Sequence, residues 1–200
     1  MSGALAGTDG RLRCPWALAG PDHESYHDLE WGRAVSGERE LFERLSLEAF
    51  QSGLSWITIL RKRPAFREAW HGFDPAAVAA FDDDDVARLL ADAGIVRNQA
   101  KIRATIANAR ALQALPAEVT LHGLLAAHTP RRAATPVAVE DVPAKVPESV
   151  ALANVLRSHG FSFVGPTTVY AMMQATGYVN DHLAGCWVQE ILPAAAPAQP

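Results

Sequence analysis

Leu41, Phe42, Leu45, Leu47 and Phe50 recur at helical spacing along a segment running from Ser36 to Gly53, where the glycine ends the pattern. One acid interrupts it. Glu48 falls among these apolar positions, so the periodicity that predicts the helix also carries a carboxylate inward, where it needs a partner or a task. Ser55 and Trp56 restart a helix with a cap residue and a large aromatic, so the stretch LEAFQSGLSW sets an acid and an indole on either side of a break. Taken alone, the stretch reads most plainly as a buried glutamate satisfied by backbone amides at a helix junction.

The pattern stays helical beyond it. The second helix, Ser55 to Arg63, is expected to end or kink at Pro64, and Arg61, Lys62 and Arg63 complement the dipole of its last turn. Asp74-Pro75 caps a short helix, and the run Asp82 to Asp85 opens another that continues through Val86, Leu89 and Leu90 to Gly94. A longer helix with Ile102 and Ile106 on its inner face follows, which makes a hairpin near 83–113. No acid occurs between Ala93 and Ala117, whereas Arg97, Lys101, Arg103 and Arg110 supply four cations. Such a hairpin could offer Gly94, Arg97 and Lys101 to a phosphate, or could equally be an ordinary αα-hairpin with a solvated basic face. Residues 127–147, with Arg131 and Arg132, are proline-rich and read as a connection. Pro147 to His159 is a helix ended by Gly160, and Phe161 to Val164 looks extended. Gly165-Pro166 then opens an apolar helix through Val169, Tyr170, Met172 and Met173 to Gly177. Without repeats or long strands, the fold class is all-α.

Composition bounds the possibilities. Two hundred residues at 49% hydrophobic and 20% charged suffice for one domain over 13–190, divided into two helical lobes, with a disordered leader over 1–12 and a tail over 191–200. No stretch approaches a membrane span and no signal pattern opens the chain, so a cytoplasmic protein is expected. A net charge of -4 argues against a broadly basic nucleic-acid surface but leaves room for a local patch. Two cysteines, Cys14 and Cys186, sit near opposite ends, which leaves metal binding or plain burial. His182 stands four residues before Cys186, a spacing at which both side chains can address one ion. His23-Glu24-Ser25-Tyr26-His27 fits the H-E-x-x-H pattern of zinc hydrolases. Gly20-Pro21 and Trp31-Gly32 limit its helix to about two turns, and no third ligand follows His27 at helical spacing, so His23 reads as a surface histidine.

Several blocks in one order carry a more specific signal. They are RCPW at 13–16, YHDLEWG at 26–32, LFERLSLEAFQSGLSWITILRKR at 41–63, FDPAAVAAF at 73–81, DAGIVRNQAKI at 92–102, GFSFVGPT at 160–167 and GYVNDHLAGC at 177–186. Together they resemble the 3-methyladenine DNA glycosylase I family, bacterial base-excision enzymes of the helix-hairpin-helix superfamily. The resemblance implies one structural zinc ion on Cys14, His27, His182 and Cys186, joining the two ends of the chain. It also implies a base pocket of Glu48, Tyr26, Trp16, Trp31 and Trp56, and DNA contacts at Gly94, Arg97, Lys101 and Leu54. Damaged double-stranded DNA is then the substrate and free 3-methyladenine the product, released by a cytoplasmic, nucleoid-associated monomer. Neither the catalytic aspartate of the wider superfamily nor the lysine of strand-cleaving lyases has a counterpart, which points to monofunctional hydrolysis. A zinc-stapled DNA-binding module without chemistry is the alternative, and Glu48 with its tryptophans speaks against it. The chain departs from the family at Ala49 and Phe50, where glycine and glutamine are common, and at Ser158, His159 and Ser162, where relatives are often more basic. The first departure bears on substrate breadth, the second on backbone contacts.

Overall fold

Capping chemistry and buried apolar stripes decide where this chain turns, and the computed structural model describes the result for residues 3–131 and 134–192. The first element differs from the expectation of a disordered leader. Leu5–Ala6 (β1) pairs antiparallel with Leu12–Arg13 (β2), and the turn between them is held by Arg13, whose two terminal nitrogens donate to Asp9 at 2.6 and 2.9 Å. A 3-10 turn at Pro15–Ala19 leads into α1 (Pro21–Leu29), which proline opens and which is as short as its flanking glycines imply.

Helix α2 (Glu38–Gln51) is the axis of the fold. Its Leu41, Phe42, Leu45, Leu47 and Phe50 are fully buried, and it ends before Gly53, whose φ of 80° lies in the left-handed region that glycine tolerates. Helix α3 (Trp56–Ala69) continues past Pro64, so of the two outcomes expected there the helix does not end. Ile59 and Phe66 on either side of the proline are both completely buried, so packing holds the helix across the hydrogen bond that the proline cannot donate. Asp74 caps α4 (Pro75–Ala79) by accepting from the amides of Ala76 and Ala77, and Asp82 caps α5 (Asp83–Ala91) through a capping box with Asp85, as the sequence predicts. Asn98 caps α6 (Gln99–Gln113), which packs against α4 and α5.

Thr120 caps α7 (Leu121–Ala127). Between α7 and Pro147 the described residues contain only a 3-10 turn at Val139–Asp141, and Arg132 lies outside the described residues. Helices α8 (Pro147–Ser158) and α9 (Pro166–Ala175) pack on each other, and α9 also packs on α2. The loop between α8 and α9 is not uniformly extended: Phe163 adopts φ of 55°, fixed by Asn108, which both accepts from the Ser162 amide and donates to its carbonyl. Helix α10 (Trp187–Ile191) closes the described chain, and residues 193–200 of the expected tail lie outside it. One large apolar cluster runs from Leu41 to Val179, and a second, small one joins Cys14 to Leu183, Cys186 and Val188 from the opposite end of the chain.

Candidate active site and metal centre

The packing of α9 across α2 leaves a cavity of about 290 Å³ lined by Trp16, His23, Tyr26, Trp31, Glu48, Gln51, Trp56, Ala171 and Gln174. All five residues of the predicted base pocket are thus brought together. Tyr26 and Trp56 meet at 5.2 Å between ring centroids, and Trp16 meets the Trp31 ring edge-on at the same distance. The indole nitrogen of Trp56 is buried without a hydrogen-bond partner among the described residues.

Glu48 has no hydrogen bond among the described residues, so the backbone-satisfied glutamate suggested by the stretch alone is not found. Burial penalises its charged form and pushes its pKa up to about 8, against the pull of Arg44 one turn earlier on α2. Arg44 is itself committed to Glu30, which also receives two bonds from Arg63. The acid in the cavity is therefore predominantly protonated at neutral pH. Burial likewise raises Tyr26, whose phenol stays a neutral donor.

Sequence reasoning missed four lining residues. Gln51 lies three positions after Glu48, on the same helical face, and that spacing was the available signal. Gln174 is the lone amide in the apolar run of α9, with Ala171 one turn before it. Its nitrogen donates to buried Asp181 at 2.7 Å, so its oxygen, an acceptor, is what it can offer the cavity. His23, read as a surface histidine, also faces the cavity. Glu24 of the same H-E-x-x-H pattern lies 3.2 Å from the Arg13 guanidinium, and its pairing removes it as a metal-activated base.

His27 points the other way, to the small apolar cluster. Ligand atoms of Cys14, His27 and Cys186 all lie within 4.8 Å of one another and all three residues are buried, a group able to hold a metal ion. His27 Nδ1–H donates to Asp28 at 2.8 Å, which leaves Nε2 facing Cys186 Sγ at 3.5 Å. The fourth predicted ligand, His182, stands beside this trio and not within it. Its ring centroid is 4.9 Å from that of His27, its Nδ1–H donates to Asn180, and its Nε2 is buried without a hydrogen-bond partner. Burial, reinforced by His27, lowers its pKa to about 4, so that nitrogen carries a free lone pair. Bonding to Cys14 and to His27 holds the Cys186 thiol well below its usual range. Two soft thiols and the His27 imidazole, with a second neutral imidazole adjacent, are a donor set whose chemistry fits a closed tetrahedral ion. The cavity leans on this cluster: Trp16 lies 5.2 Å from the His27 ring and Trp31 4.5 Å from the His182 ring.

The hairpin residues fare differently. Lys101 is buried, and its ammonium donates to the carbonyls of Phe50 at 2.8 Å and Ser52 at 2.5 Å, tying α6 to the end of α2. Its side chain is therefore not displayed to a phosphate, because the unpaired carbonyls at a helix C-terminus hold it. Gly94 donates its amide to Asp92 at 2.7 Å, and a side chain there would press on Ala65 of α3 at 3.0 Å, so this glycine serves close packing. Arg103 pairs with Asp83, and Arg110 donates to the carbonyls of Ala79 and Phe81. Of the four predicted cations, Arg97 alone has neither an ion pair nor a side-chain hydrogen bond among the described residues, and it is exposed. Leu54, 40% exposed, stands in the loop between α2 and α3, where the Gln51 side chain donates to its carbonyl.

An aromatic cavity with one buried acid is thus set in a mostly helical scaffold with a short β-hairpin at its N-terminal end. The chain belongs to the methyladenine glycosylase family, whose model matches residues 16–189. It is 42% identical over 178 residues to DNA-3-methyladenine glycosylase 1 of Escherichia coli (strain K12), covering 87% of this chain and 95% of that protein. It is 39% identical over 184 residues to the DNA-3-methyladenine glycosylase of Haemophilus influenzae, covering 87% and 96%. Among solved structures, a crystal structure of 3-methyladenine DNA glycosylase I superposes with a TM-score of 0.84 at 42% identity, over 88% of this chain and 98% of the other. A structure describing 3-methyladenine recognition by the Staphylococcus aureus enzyme gives 0.82 at 30% identity, over 88% and 96%.

Proposed function

We propose that this chain hydrolyses the N-glycosidic bond of 3-methyladenine in double-stranded DNA after drawing the base out of the stack into the cavity between α1, α2 and α9. The observation that carries this reading is a buried acid without a partner, enclosed by Trp16, Tyr26, Trp31 and Trp56. A volume of about 290 Å³ suits a single base, and aromatic faces favour a purine that methylation has made cationic. Glu48 and Tyr26 address its polar edge, with the Gln174 oxygen as a further acceptor for an amino group. The positive charge already weakens the glycosidic bond, so the protein's contribution is extraction and recognition more than activation of water. Leu54 serves as the wedge beside the vacated stack and Arg97 as a backbone contact.

One zinc ion, structural and closed, would be held by Cys14, His27 and Cys186, with the free Nε2 of the adjacent His182 as the fourth ligand. When bound it supplies no chemistry and joins the N- and C-terminal segments. A monomer acting on nucleoid DNA in the cytoplasm accords with this reading, and no described helix is long and apolar enough to cross a membrane.

Purified protein incubated with methylated duplex DNA should release 3-methyladenine, detected by chromatography, and leave the phosphodiester backbone intact. Absence of free base, or strand scission without added base treatment, would refute the proposal. The hairpin supplies a second expectation. Arg97→Ala should lower the slope of log binding constant against log salt by about 0.9 without changing stability. Lys101→Met should leave that slope alone and cost about 1 to 3 kcal/mol of stability, because it strands two carbonyls. Equal slopes for Arg97→Ala and the wild type would remove Arg97 from the interface.

A further inference from the structure

Three partners converge on Asp28. One carboxylate oxygen accepts from His27 Nδ1 at 2.8 Å, from Arg13 Nε at 3.0 Å and from the Trp187 indole at 3.3 Å, while the other accepts from Arg13 at 2.8 and 3.1 Å. Arg13 is almost wholly buried, and the rest of its guanidinium is taken by Asp9 and Glu24. A buried cation is costly unless its partners are well placed, and here three carboxylates surround it. Arg11, on the same hairpin, lies over the Trp187 ring at 4.6 Å. Asp9, Arg11 and Arg13 thus close the outer side of the Cys14, His27 and Cys186 group, and Asp28 is gripped from one side by the hairpin and from the other by a ligand.

We propose that the β1–β2 hairpin is a clasp on the metal centre: through Arg13 and Asp28 it positions His27 and retains the bound divalent cation. Asp28, Arg13 and Asp9 are positioning residues. Asp28 fixes the His27 tautomer that presents Nε2 to the ion, and Arg13 fixes Asp28. The inference rests on the metal reading above. Asparagine at 28 with its oxygen on His27 lacks the second oxygen that takes two bonds from Arg13, sets an amino group there instead, and removes the charge that pairs with the guanidinium.

The test uses the full chain, as wild type and as Asp28→Asn, Asp9→Asn, Asp74→Ala and Cys186→Ser, each loaded with Zn²⁺ or Co²⁺. Affinity is read by competition with a chromophoric chelator and ligand geometry by the Co²⁺ visible spectrum. Asp28→Asn should weaken Zn²⁺ binding about 10- to 100-fold and alter the spectrum, and Asp9→Asn should weaken it by up to about fivefold. Asp74→Ala removes a distant helix cap, and should lower thermal stability with affinity and spectrum unchanged. Wild-type affinity and spectrum in Asp28→Asn would overturn the clasp while leaving the metal centre standing. Should that variant fail to fold, unchanged ion release from Asp9→Asn would overturn it instead. A wild type that binds no ion, like Cys186→Ser, would overturn the metal reading and the clasp together.

Discussion

Cys186→Ser should leave the protein without its ion and lower its thermal midpoint by about 10 °C when zinc is in thousandfold excess over its dissociation constant. A ligand at that excess stabilises the native state by about 4 kcal/mol, and a chain of this size loses roughly 2 to 4 °C per kcal/mol. The large cluster from Leu41 to Val179 does not include Cys186, so the helical body should survive while the joint between the chain ends opens. Because Trp16 and Trp31 pack on His27 and His182, that opening should loosen the cavity wall, shift tryptophan fluorescence and weaken base binding. His23→Ala is the contrast. It faces the cavity, so it should alter base binding and keep the ion. Metal analysis and calorimetric melting of both variants decide the matter: ion lost with His23 and retained without Cys186 would show that the cysteines are merely buried.

What the sequence makes legible is what local chemistry controls. Asp74 and Asp82 announce their helices because a cap is a matter of a few adjacent residues, and both form the predicted bonds. Glu48 is recognisably buried because a 3.6-residue period needs no knowledge of the partner helix. Pro64 does not end its helix because the propensity against it is outweighed by burial of Ile59 and Phe66, which no local rule weighs. Past Arg97, the basic run through Lys101, Arg103 and Arg110 is hard to read for a related reason. Spacing along a helix says where a cation points but not that Asp83, or the carbonyls of Phe50, Ser52, Ala79 and Phe81, are waiting there. The clasp on Asp28 is likewise illegible, since it unites residues 9, 13, 28 and 187 through tertiary contact alone.

Glu48→Gln should make the protein more stable and a poorer enzyme at the same time. The folded pKa of Glu48, about 8, lies above its ordinary value of 4.5, so the native state holds this proton more tightly than the unfolded chain does. The stability that the protonated side chain contributes is intact below pH 4.5, declines as pH rises, and is fully lost above pH 8. At that limit the buried charge costs on the order of 5 kcal/mol. Glutamine carries no such charge, so its stabilising effect should grow from pH 5 to pH 8 and then level off. Function runs in the opposite direction. A cationic purine in the cavity favours the ionised carboxylate, and binding it should drive the proton off Glu48. Single-turnover excision by the wild type should therefore increase with pH up to about 8, where the proton no longer has to be removed. Glutamine should flatten that profile and, because a hydrogen bond to a charged group is worth about 1.5 to 3 kcal/mol, reduce excision at high pH by roughly one to two orders of magnitude. An essential base activating water would cost far more. Thermal melting and single-turnover excision from pH 5 to 9 test both halves: a stabilisation independent of pH would mean that Glu48 is ionised in the free cavity, and parallel excision profiles would mean that its charge has no part in holding the base.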